Sequence, residues 1–277
     1  MSKKFKSLVA ILMMASMLFT LTACSSSPKE EGSDSAAAAK VEQIKEKGKL
    51  VLGTSADYPP FEFHKQIDGK DEIVGFDIEI AKEIAKELGV ELEIKDMKFD
   101  GLLAALQTGK VDVVIAGMNP DEDRRKAVDF SDVYYKEVQS VVTKTDNVDK
   151  IKTLDDLKGK KVGVQKGTTM ESIAQEKMTE SEIKALGKVT DIVLELKNDK
   201  VDAIVMEKPV AKAYISANPD IAMTGIELEP EDTGFAVAVK KGNEDLVSSI
   251  NDVLKKLSDE GKIDQFIADA NILMEQE

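Results

Sequence analysis

The stretch FDGLLAALQTGKVDVVIAGM, residues 99–118, gives the clearest indication of the fold. Asp100 and Gly109 are residues of the types that commonly begin and end a helix, and residues 102–107 between them fit a short one. Residues 111–116 are then apolar except for Asp112, as expected for a strand buried in a parallel sheet. A helix followed directly by a buried strand predicts an α/β fold.

The same alternation occurs before this stretch. Residues 49–54 are predicted to form a short apolar strand, and residues 90–94 alternate like a second one. Between them, the apolar side chains of residues 78–88 fall on one helical face, with Asp77 as the predicted N-cap and Gly89 just after the end. Strands that alternate with helices favour a parallel sheet flanked by helices.

The second half of the chain repeats the pattern. Residues 161–164 are a predicted strand, and residues 168–169 lead into a helix. KVDVVI (110–115) is similar to KVDAIV (200–205). This favours two lobes of corresponding build, although any two buried strands share such a composition. A late strand, residues 235–239, and a long amphipathic helix after it are expected to pack on the first half.

The first residues have the layout of an exported protein. A basic start with three lysines precedes the apolar run of residues 8–21, which is a charged n-region followed by an h-region. The run is too short to span a membrane comfortably. It ends in LTAC (21–24), which resembles the lipobox of bacterial lipoproteins, where the cysteine, here Cys24, is acylated. An ordinary signal with a chance cysteine is the alternative.

These patterns divide the chain into four predicted parts: residues 1–23 as a lipoprotein signal peptide, 24–40 as a flexible tether, 41–136 with 233–277 as the first lobe, and 137–232 as the second lobe. The tether is expected because its Ser, Ala, Gly and Glu residues show no apolar periodicity. The chain would cross between the lobes near residues 134–138 and 230–233. Cys24 is the only cysteine, so no intramolecular disulfide can form.

Charge and residue content exclude several classes of function. The formal net charge of −14 argues against nucleic-acid binding, which needs a basic surface. His64 is the only histidine, which argues against a His-centred catalytic triad or a His-rich metal site, and we predict it in a surface loop. There is no GxxxxGK[ST] phosphate loop, so any ATP hydrolysis would belong to a partner subunit. We expect no cofactor and no catalytic residue.

Five segments carry a resemblance to a known family: GTSADYPPFEF (53–63), VGFDIEIAKEIAKELGV (74–90), FDGLLAALQTGKVDVVIAGM (99–118), RRKAVDFSDVYY (124–135) and LKGKKVGVQKGTT (157–169). They are similar to the polar amino-acid-binding proteins of ABC importers, the family 3 extracellular solute-binding proteins. The resemblance implies a type II periplasmic-binding-protein-like fold, with two lobes that each contain a mostly parallel sheet flanked by helices. A hinge of two strands would join the lobes, which close on the ligand.

The resemblance also implies how a free amino acid is held. Arg124 would bind the carboxylate through two parallel charge-assisted bonds. Backbone N–H groups of Thr168 and Thr169, at a helix start, would share its charge. Glu207 would bind the ammonium group, although the family more often has Asp there and the extra methylene requires a small backbone shift. Two further contacts to the ammonium group are implied: the Gly117 carbonyl and the Asn119 side chain.

The ligand side chain would lie between aromatic residues with a polar group at the end. Tyr58 and Phe99 match the two aromatics that grip the ligand stem in the family. Ser55 stands where some relatives use Asp, and its neutral hydroxyl weakens the case for a strict lysine receptor. Gln165 would line the corresponding strand end of the second lobe. Arginine, glutamine, lysine and histidine all remain open as ligands.

We therefore expect an exported, lipid-anchored receptor that delivers a polar L-amino acid to the permease and ATPase subunits of an ABC importer. It would act as a monomer at the outer face of the cytoplasmic membrane, as in Gram-positive cells, or on the periplasmic side, with its lipid as the only membrane contact. Two alternatives stay open. One is an enzyme resembling the cyclohexadienyl dehydratases, with Glu207 as a general acid. The other is a sensory or adhesin lipoprotein.

Overall fold

The computed structural model describes residues 39–136, 138–228 and 234–275, with residue 275 described by its backbone alone. The predicted signal peptide, the lipidation site Cys24 and nearly all of the predicted tether lie outside the described residues. Within these ranges, no helix combines the length and apolar character needed to cross a membrane.

Strands occur throughout the described chain. In chain order they are β1 (Lys49–Thr54), β2 (Asp57–Tyr58), β3 (Glu62–Ile67), β4 (Lys70–Val74), β5 (Glu91–Asp96), β6 (Val113–Val114), β7 (Val128–Tyr135), β8 (Gln139–Lys144), β9 (Lys161–Gln165), β10 (Glu182–Leu186), β11 (Ala203–Glu207), β12 (Ile221–Leu228) and β13 (Phe235–Lys240). The buried run of residues 111–116 contributes only its two central residues to the β6 ladder, because the chain bends on either side of them.

Two five-stranded sheets organise the described residues. The first has the order β5-β1-β6-β13-β7, in which β1 is parallel to β5 and β6, and β13 is antiparallel to β6 and β7. The second has the order β10-β9-β11-β8-β12, in which β9 is parallel to β10 and β11, and β8 is antiparallel to its neighbours. We call the parts built on these sheets the first and the second lobe. The predicted α/β class is confirmed.

The chain passes between the two sheets twice. β7 belongs to the first sheet and β8 to the second, and the return lies between β12 and β13. This order agrees with the two crossings expected from the sequence, while the exact lobe boundaries stay a prediction. Rings of the first-lobe core anchor the strands beside both crossings, because Phe61 packs 5.5 Å from Tyr135 of β7 and 5.2 Å from Phe235 of β13, centroid to centroid.

The sheets are covered by helices: α1 (Lys40–Lys47), α2 (Phe76–Leu88), α3 (Leu102–Gln107), α4 (Glu122–Ala127), α5 (Thr169–Lys177), α6 (Val189–Lys197), α7 (Lys208–Ala217), α8 (Glu244–Asp259) and α9 (Lys262–Glu275). Lys40, which we predicted to end the tether, instead begins α1. Its ammonium nitrogen lies 2.7 Å from the buried Asp112 carboxylate, so this residue is part of the folded first lobe.

The start of α2 differs from the prediction. Gly75 precedes it with φ of 127°, and a Cβ there would lie 2.2 Å from the Phe61 carbonyl oxygen, so only glycine fits. Asp77 lies inside the helix and is fully buried. Its Oδ2 accepts hydrogen bonds from the Gly117 N–H at 3.0 Å and from the Tyr134 hydroxyl at 2.9 Å. The N-cap prediction for Asp77 was therefore wrong, because its carboxylate joins three distant segments.

A small antiparallel sheet, β2-β3-β4, extends the first lobe. His64 lies in β3 opposite Ile73 of β4, so the prediction of a surface loop was wrong. Its Nδ1 is 2.8 Å from the Asp71 carboxylate, and its Nε2 is 3.6 Å from Asp96. The outer part of β3 alternates between exposed and half-buried residues, and a polar surface strand of this kind resembles a loop in the sequence.

Candidate functional site

The predicted site residues lie where strands end and connecting segments begin. Gln165 ends β9 and Glu207 ends β11 in the second lobe, while Ser55 follows β1 and Gly117 follows β6 in the first. Ligands of α/β proteins bind beyond the carboxyl ends of the strands. The predicted site residues therefore border a cleft between these strand ends.

Arg124 is the charged residue of the first-lobe wall. It is 9% exposed and lies in α4, whose N-cap Asp121 accepts the Arg124 backbone N–H at 2.8 Å. The guanidinium donates to the carbonyls of Asn119 and Gly167, both at 2.8 Å, and its Nε lies 3.1 Å from the Asp121 carboxylate. Its central carbon is 5.4 Å from the centroid of the Phe99 ring. Because Gly167 belongs to the second lobe, Arg124 links the two lobes.

The Arg124 guanidinium remains positively charged despite its burial. Burial lowers the pKa of the guanidinium from its ordinary value, and the neighbouring Asp121 acts in the opposite direction. A guanidinium remains protonated in proteins over the whole physiological pH range. The first-lobe wall therefore presents a fixed positive charge.

A second contact joins the lobes beside Arg124. The Thr169 hydroxyl of α5 donates to Asn119 Oδ1 at 2.9 Å, and Asn119 Nδ2 donates to the Gly234 carbonyl at 3.2 Å. The Asn119 side chain is thus already held by both lobes, and its oxygen has one remaining lone pair to offer.

Tyr58 and Gly117 are in close contact. Gly117 has φ of 54°, and a Cβ at this position would lie 3.2 Å from Tyr58 Cε1. The backbone can therefore follow the ring closely only because the residue is glycine. The Tyr58 hydroxyl donates to the Met170 sulfur of the second lobe at 3.8 Å, so this ring also extends across the cleft.

Thr168 is the N-cap of α5. Its hydroxyl accepts the Glu171 N–H at 3.3 Å and donates to the Gln165 carbonyl at 2.7 Å. The preceding Gly167 donates its N–H to the Glu171 carboxylate at 2.7 Å. The Thr168 hydroxyl thus makes two hydrogen bonds within the protein. Any contact with a ligand would therefore come from backbone N–H groups, as the sequence suggested.

Glu207 is the buried ionisable residue of the second-lobe wall. It is 2% exposed and precedes α7 without making a side-chain cap bond. Its Oε2 has no hydrogen-bond partner among the described residues. Burial raises the pKa of Glu207 to about 8. Such a group is protonated at neutral pH until a cation comes close enough to favour its charged form.

Two glutamine side chains at the same edge of the second sheet are also incompletely paired. Gln165 Nε2 and Gln139 Oε1 are buried without a hydrogen-bond partner in the part of the chain that the structure describes. Sequence reasoning identified Gln165 but missed Gln139, which begins β8 directly after the crossing. The sequence gives no local signal for Gln139, because Ser140, Thr143 and Lys144 of the same strand are also polar.

Ser55 does not stand free in the cleft. Its hydroxyl donates to Asp57 Oδ1 at 3.1 Å, and the other oxygen of Asp57 accepts the Val189 N–H at the start of α6. The Tyr214 hydroxyl of the second lobe also donates to the Asp57 carbonyl at 2.7 Å. Burial raises the pKa of Asp57, while Lys188 lowers it. Asp57, which sequence reasoning did not single out, thus connects Ser55 to the second lobe.

A surface depression of about 1050 Å³ opens at one edge of the cleft. Four of the predicted site residues line it: Asn119, Arg124, Thr168 and Thr169. Gln139 lies in the same lining, whereas the other predicted residues are buried and do not line it. Among residues 39–136, 138–228 and 234–275 there is no group of three or more His, Cys, Asp or Glu side chains arranged to hold a metal ion.

Known proteins resemble this chain over most of its length. Residues 50–269 match the sequence profile of the bacterial extracellular solute-binding proteins, family 3. The arginine-binding extracellular protein ArtP of Bacillus subtilis (strain 168) is 40% identical over 263 residues, covering 94% of this chain and 96% of ArtP. The L-cystine-binding protein TcyJ of Escherichia coli (strain K12) is 36% identical over 222 residues, covering 80% of this chain and 82% of TcyJ.

A solved structure has the same architecture. The amino acid ABC transporter substrate-binding protein AbpA of Streptococcus pneumoniae Canada MDR_19A, bound to L-arginine, is similar with a TM-score of 0.83 and 40% sequence identity. The match covers 85% of this chain and 100% of that structure. This likeness confirms the two-lobe, type II fold that the sequence implied.

Proposed function

The chain belongs to the bacterial extracellular solute-binding proteins, family 3, and we propose that it captures a polar L-amino acid, with L-arginine as the first candidate, between its two lobes. The observation that carries this proposal is a buried guanidinium on one wall of the cleft, Arg124, and a buried carboxyl group with an unpartnered oxygen on the other, Glu207. A zwitterion can satisfy both only when the lobes are closed around it.

The carboxylate end of the ligand would be held by Arg124. A guanidinium has five N–H donors, and the contacts among the described residues engage three of them. One donor on each terminal nitrogen is left, and two such donors suit the two oxygens of a carboxylate. The start of α5, with the backbone N–H groups of Thr168 and Thr169, would add further stabilisation of negative charge.

The ammonium end would be held by Glu207. Without a ligand, its buried oxygen lacks a hydrogen-bond donor, which costs free energy. An ammonium group would supply that donor. The Gly117 carbonyl and the second lone pair of Asn119 Oδ1 are the acceptors that the first-lobe wall would offer to a further proton. Because the pKa of Glu207 is about 8 without a ligand, binding of the ammonium group would release a proton near neutral pH.

The ligand side chain would lie between Tyr58 and Phe99 and reach Ser55 and Gln165. The carboxylate of Asp57, bonded to Ser55, favours a cationic side chain at this end over the neutral one of glutamine. A planar guanidinium also stacks well on aromatic rings. These features, together with the names of the relatives, support arginine over lysine and histidine.

Closure would be stabilised by contacts that exist only when the lobes meet. Three are the Arg124 bond to the Gly167 carbonyl, the Thr169 bond to Asn119 and the ion pair of Lys166 with Asp100 at 2.9 Å. A ligand that bridges the walls would shift the population towards this closed form. We further propose that the closed form is the one recognised by the permease of an ABC importer, rather than by a sensor or an adhesin receptor.

Membrane attachment would depend on Cys24. We propose that acylation of this cysteine, next to the apolar run of the leader, anchors the exported protein at the outer face of the cytoplasmic membrane or on the periplasmic side. More than one acyl chain gives stable anchoring, since each buried CH₂ contributes about 0.8 kcal/mol. Replacement of Cys24 by Ser should release the protein from the membrane fraction; retention there would contradict the proposal.

A thermal-shift screen against the common L-amino acids tests the proposed function. L-Arginine at about 100 times its dissociation constant should add about 2.7 kcal/mol to the free energy of unfolding. Agmatine, which is arginine without its carboxylate, serves as the control and should give little shift. Absence of a shift with every amino acid would contradict the proposal, and conversion of prephenate or arogenate by the protein would favour the enzyme alternative.

A further inference from the structure

Gln139 is a buried polar residue to which neither the family resemblance nor the relatives assign a role. It is 4% exposed, and its Oε1 has no hydrogen-bond partner within the described ranges. It lines the same depression as Arg124 and Thr169, so the residue lies at the border of the cleft. A buried acceptor left without a donor costs free energy, which makes this position unusual for a purely structural glutamine.

The sheet register places Gln139 beside Glu207. The two residues are direct partners in the antiparallel pairing of β8 with β11. Directly opposite residues project from the same face of a sheet, with Cβ atoms about 4.5–5.5 Å apart. Both residues carry a buried side-chain oxygen without a partner. Two adjacent oxygens of this kind, one of them on a carboxyl group, form an arrangement that suits a ligand with several N–H donors on one cationic centre.

We propose that Gln139 is a ligand-contacting residue which, with Glu207, forms a two-oxygen seat for the α-ammonium group of the bound amino acid. An ammonium group has three N–H donors and no acceptor. One donor would go to Glu207 and one to Gln139 Oε1, which leaves one for the first-lobe wall. This inference rests on the proposed function, since it assigns a further residue to the same cleft.

The test compares two ligands that differ only in the ammonium group. L-Arginine and 5-guanidinopentanoate, which is arginine without its α-amino group, are titrated calorimetrically into wild type and Gln139→Met, a variant that keeps the side-chain length but lacks the acceptor. Gln139→Met should weaken L-arginine binding about tenfold, as expected for one lost hydrogen bond to a charged group. It should leave the affinity for 5-guanidinopentanoate unchanged.

Two further variants make the result interpretable. Gln175→Met, an exposed glutamine of α5 in the same depression, is the matched control and should bind both ligands like wild type. Gln139→Ala carries the same expectation as Gln139→Met and replaces it if that variant does not fold.

The outcomes separate this inference from the proposed function. If the Gln139 variants bind L-arginine with wild-type affinity, Gln139 does not contact the ammonium group. The proposed function would then still stand. An equal loss for both ligands would also overturn the seat, because it would reveal a structural role. If wild type binds no amino acid at all, the proposed function fails and the seat fails with it.

Discussion

On the first wall of the cleft, the Arg124 guanidinium is held by three protein oxygens, two of its own lobe and one of the second, whereas on the second wall the buried Glu207 carboxyl group has an oxygen without a described partner. Arg124 donates to the Asn119 and Gly167 carbonyls and lies against the Asp121 carboxylate. Glu207 precedes α7 with one carboxylate oxygen unpaired, and burial raises its pKa to about 8.

This difference indicates that the two walls contribute differently to ligand binding. The guanidinium is positioned in advance, so a carboxylate arriving there loses little free energy to ordering of the protein. The second wall instead carries the desolvation cost of its acceptors until a cationic group arrives. We therefore expect the first wall to determine whether a ligand binds and the second to make binding sensitive to pH.

The largest effect is expected at the first wall. Arg124→Gln removes two charge-assisted bonds to the ligand carboxylate, worth together about 3–6 kcal/mol, so L-arginine affinity should fall roughly 10²- to 10⁴-fold. Calorimetric titration measures the loss. Arg125→Gln is the control, because Arg125 is exposed and its guanidinium instead contacts the Phe130 ring, 5.6 Å away. Near-wild-type affinity of Arg124→Gln would refute the assigned role.

At the second wall we expect a strong pH dependence. The pKa of Glu207 is about 8 in the free protein, so below that pH an ammonium ligand must displace a proton. The affinity should rise by up to about tenfold per pH unit between pH 6 and 8 and level off above 8. Titrations at pH 7 in buffers of different ionisation enthalpy should report close to one proton released. A flat profile in wild type would contradict this, and Glu207→Gln should produce one.

A smaller effect, on stability alone, is expected behind the first wall. Burial and the neighbouring Asp77 charge hold the pKa of Glu62 well above its usual range, and burial raises the pKa of Asp77 to about 6. The folded state therefore binds more protons than the unfolded chain, so stability should fall as pH rises above the unfolded values near 4. Glu62→Gln can donate a hydrogen bond to Asp77 without titrating.

Urea unfolding at pH 5 and pH 8 checks this expectation. Glu62→Gln should be more stable than wild type at pH 8 by about 1–3 kcal/mol, the cost of an unsatisfied buried charge. It should also lose less stability between the two pH values. Glu79→Gln, a partly exposed position on the helix that carries Asp77, is the control and should follow wild type. If Glu62→Gln shows the same pH profile as wild type, the buried acid pair does not titrate as described.

The smallest effect is expected at the contact that joins the walls. Thr169→Val removes the hydroxyl that donates to Asn119 Oδ1 at 2.9 Å but keeps the backbone N–H at the start of α5. One neutral hydrogen bond contributes about 0.5–1.5 kcal/mol, so L-arginine affinity should fall roughly two- to tenfold through a less populated closed form. Small-angle scattering of the free and liganded variant would separate weaker closure from a direct loss of ligand contact.

Much of the fold was predictable because its determinants are local in the sequence. The similar segments of residues 110–115 and 200–205 indicated a buried strand in each lobe, and the periodic residues 78–88 indicated a helix of the first lobe. The late return to the first lobe also followed from the order of elements. Residues whose partners lie far along the chain were not predictable in this way: the partners of Asp77 are 40 and 57 residues away.

The candidate site was also predictable only in part. The resemblance identified charged residues with a fixed motif position, such as Arg124. It could not identify Gln139. This residue is a candidate ligand contact only because it pairs with Glu207 in the sheet and because its side-chain oxygen lacks a partner among the described residues. Nor could the resemblance predict that the Ser55 hydroxyl is bonded to Asp57, which depends on how the strand end bends.

The most direct test of the central claim is a crystal structure of the protein grown with L-arginine. We predict the ligand carboxylate about 2.7–2.9 Å from the Arg124 guanidinium, and its ammonium nitrogen at a similar distance from the Glu207 carboxylate. A ligand bound in the reverse orientation, or outside the space between the two lobes, would contradict the account.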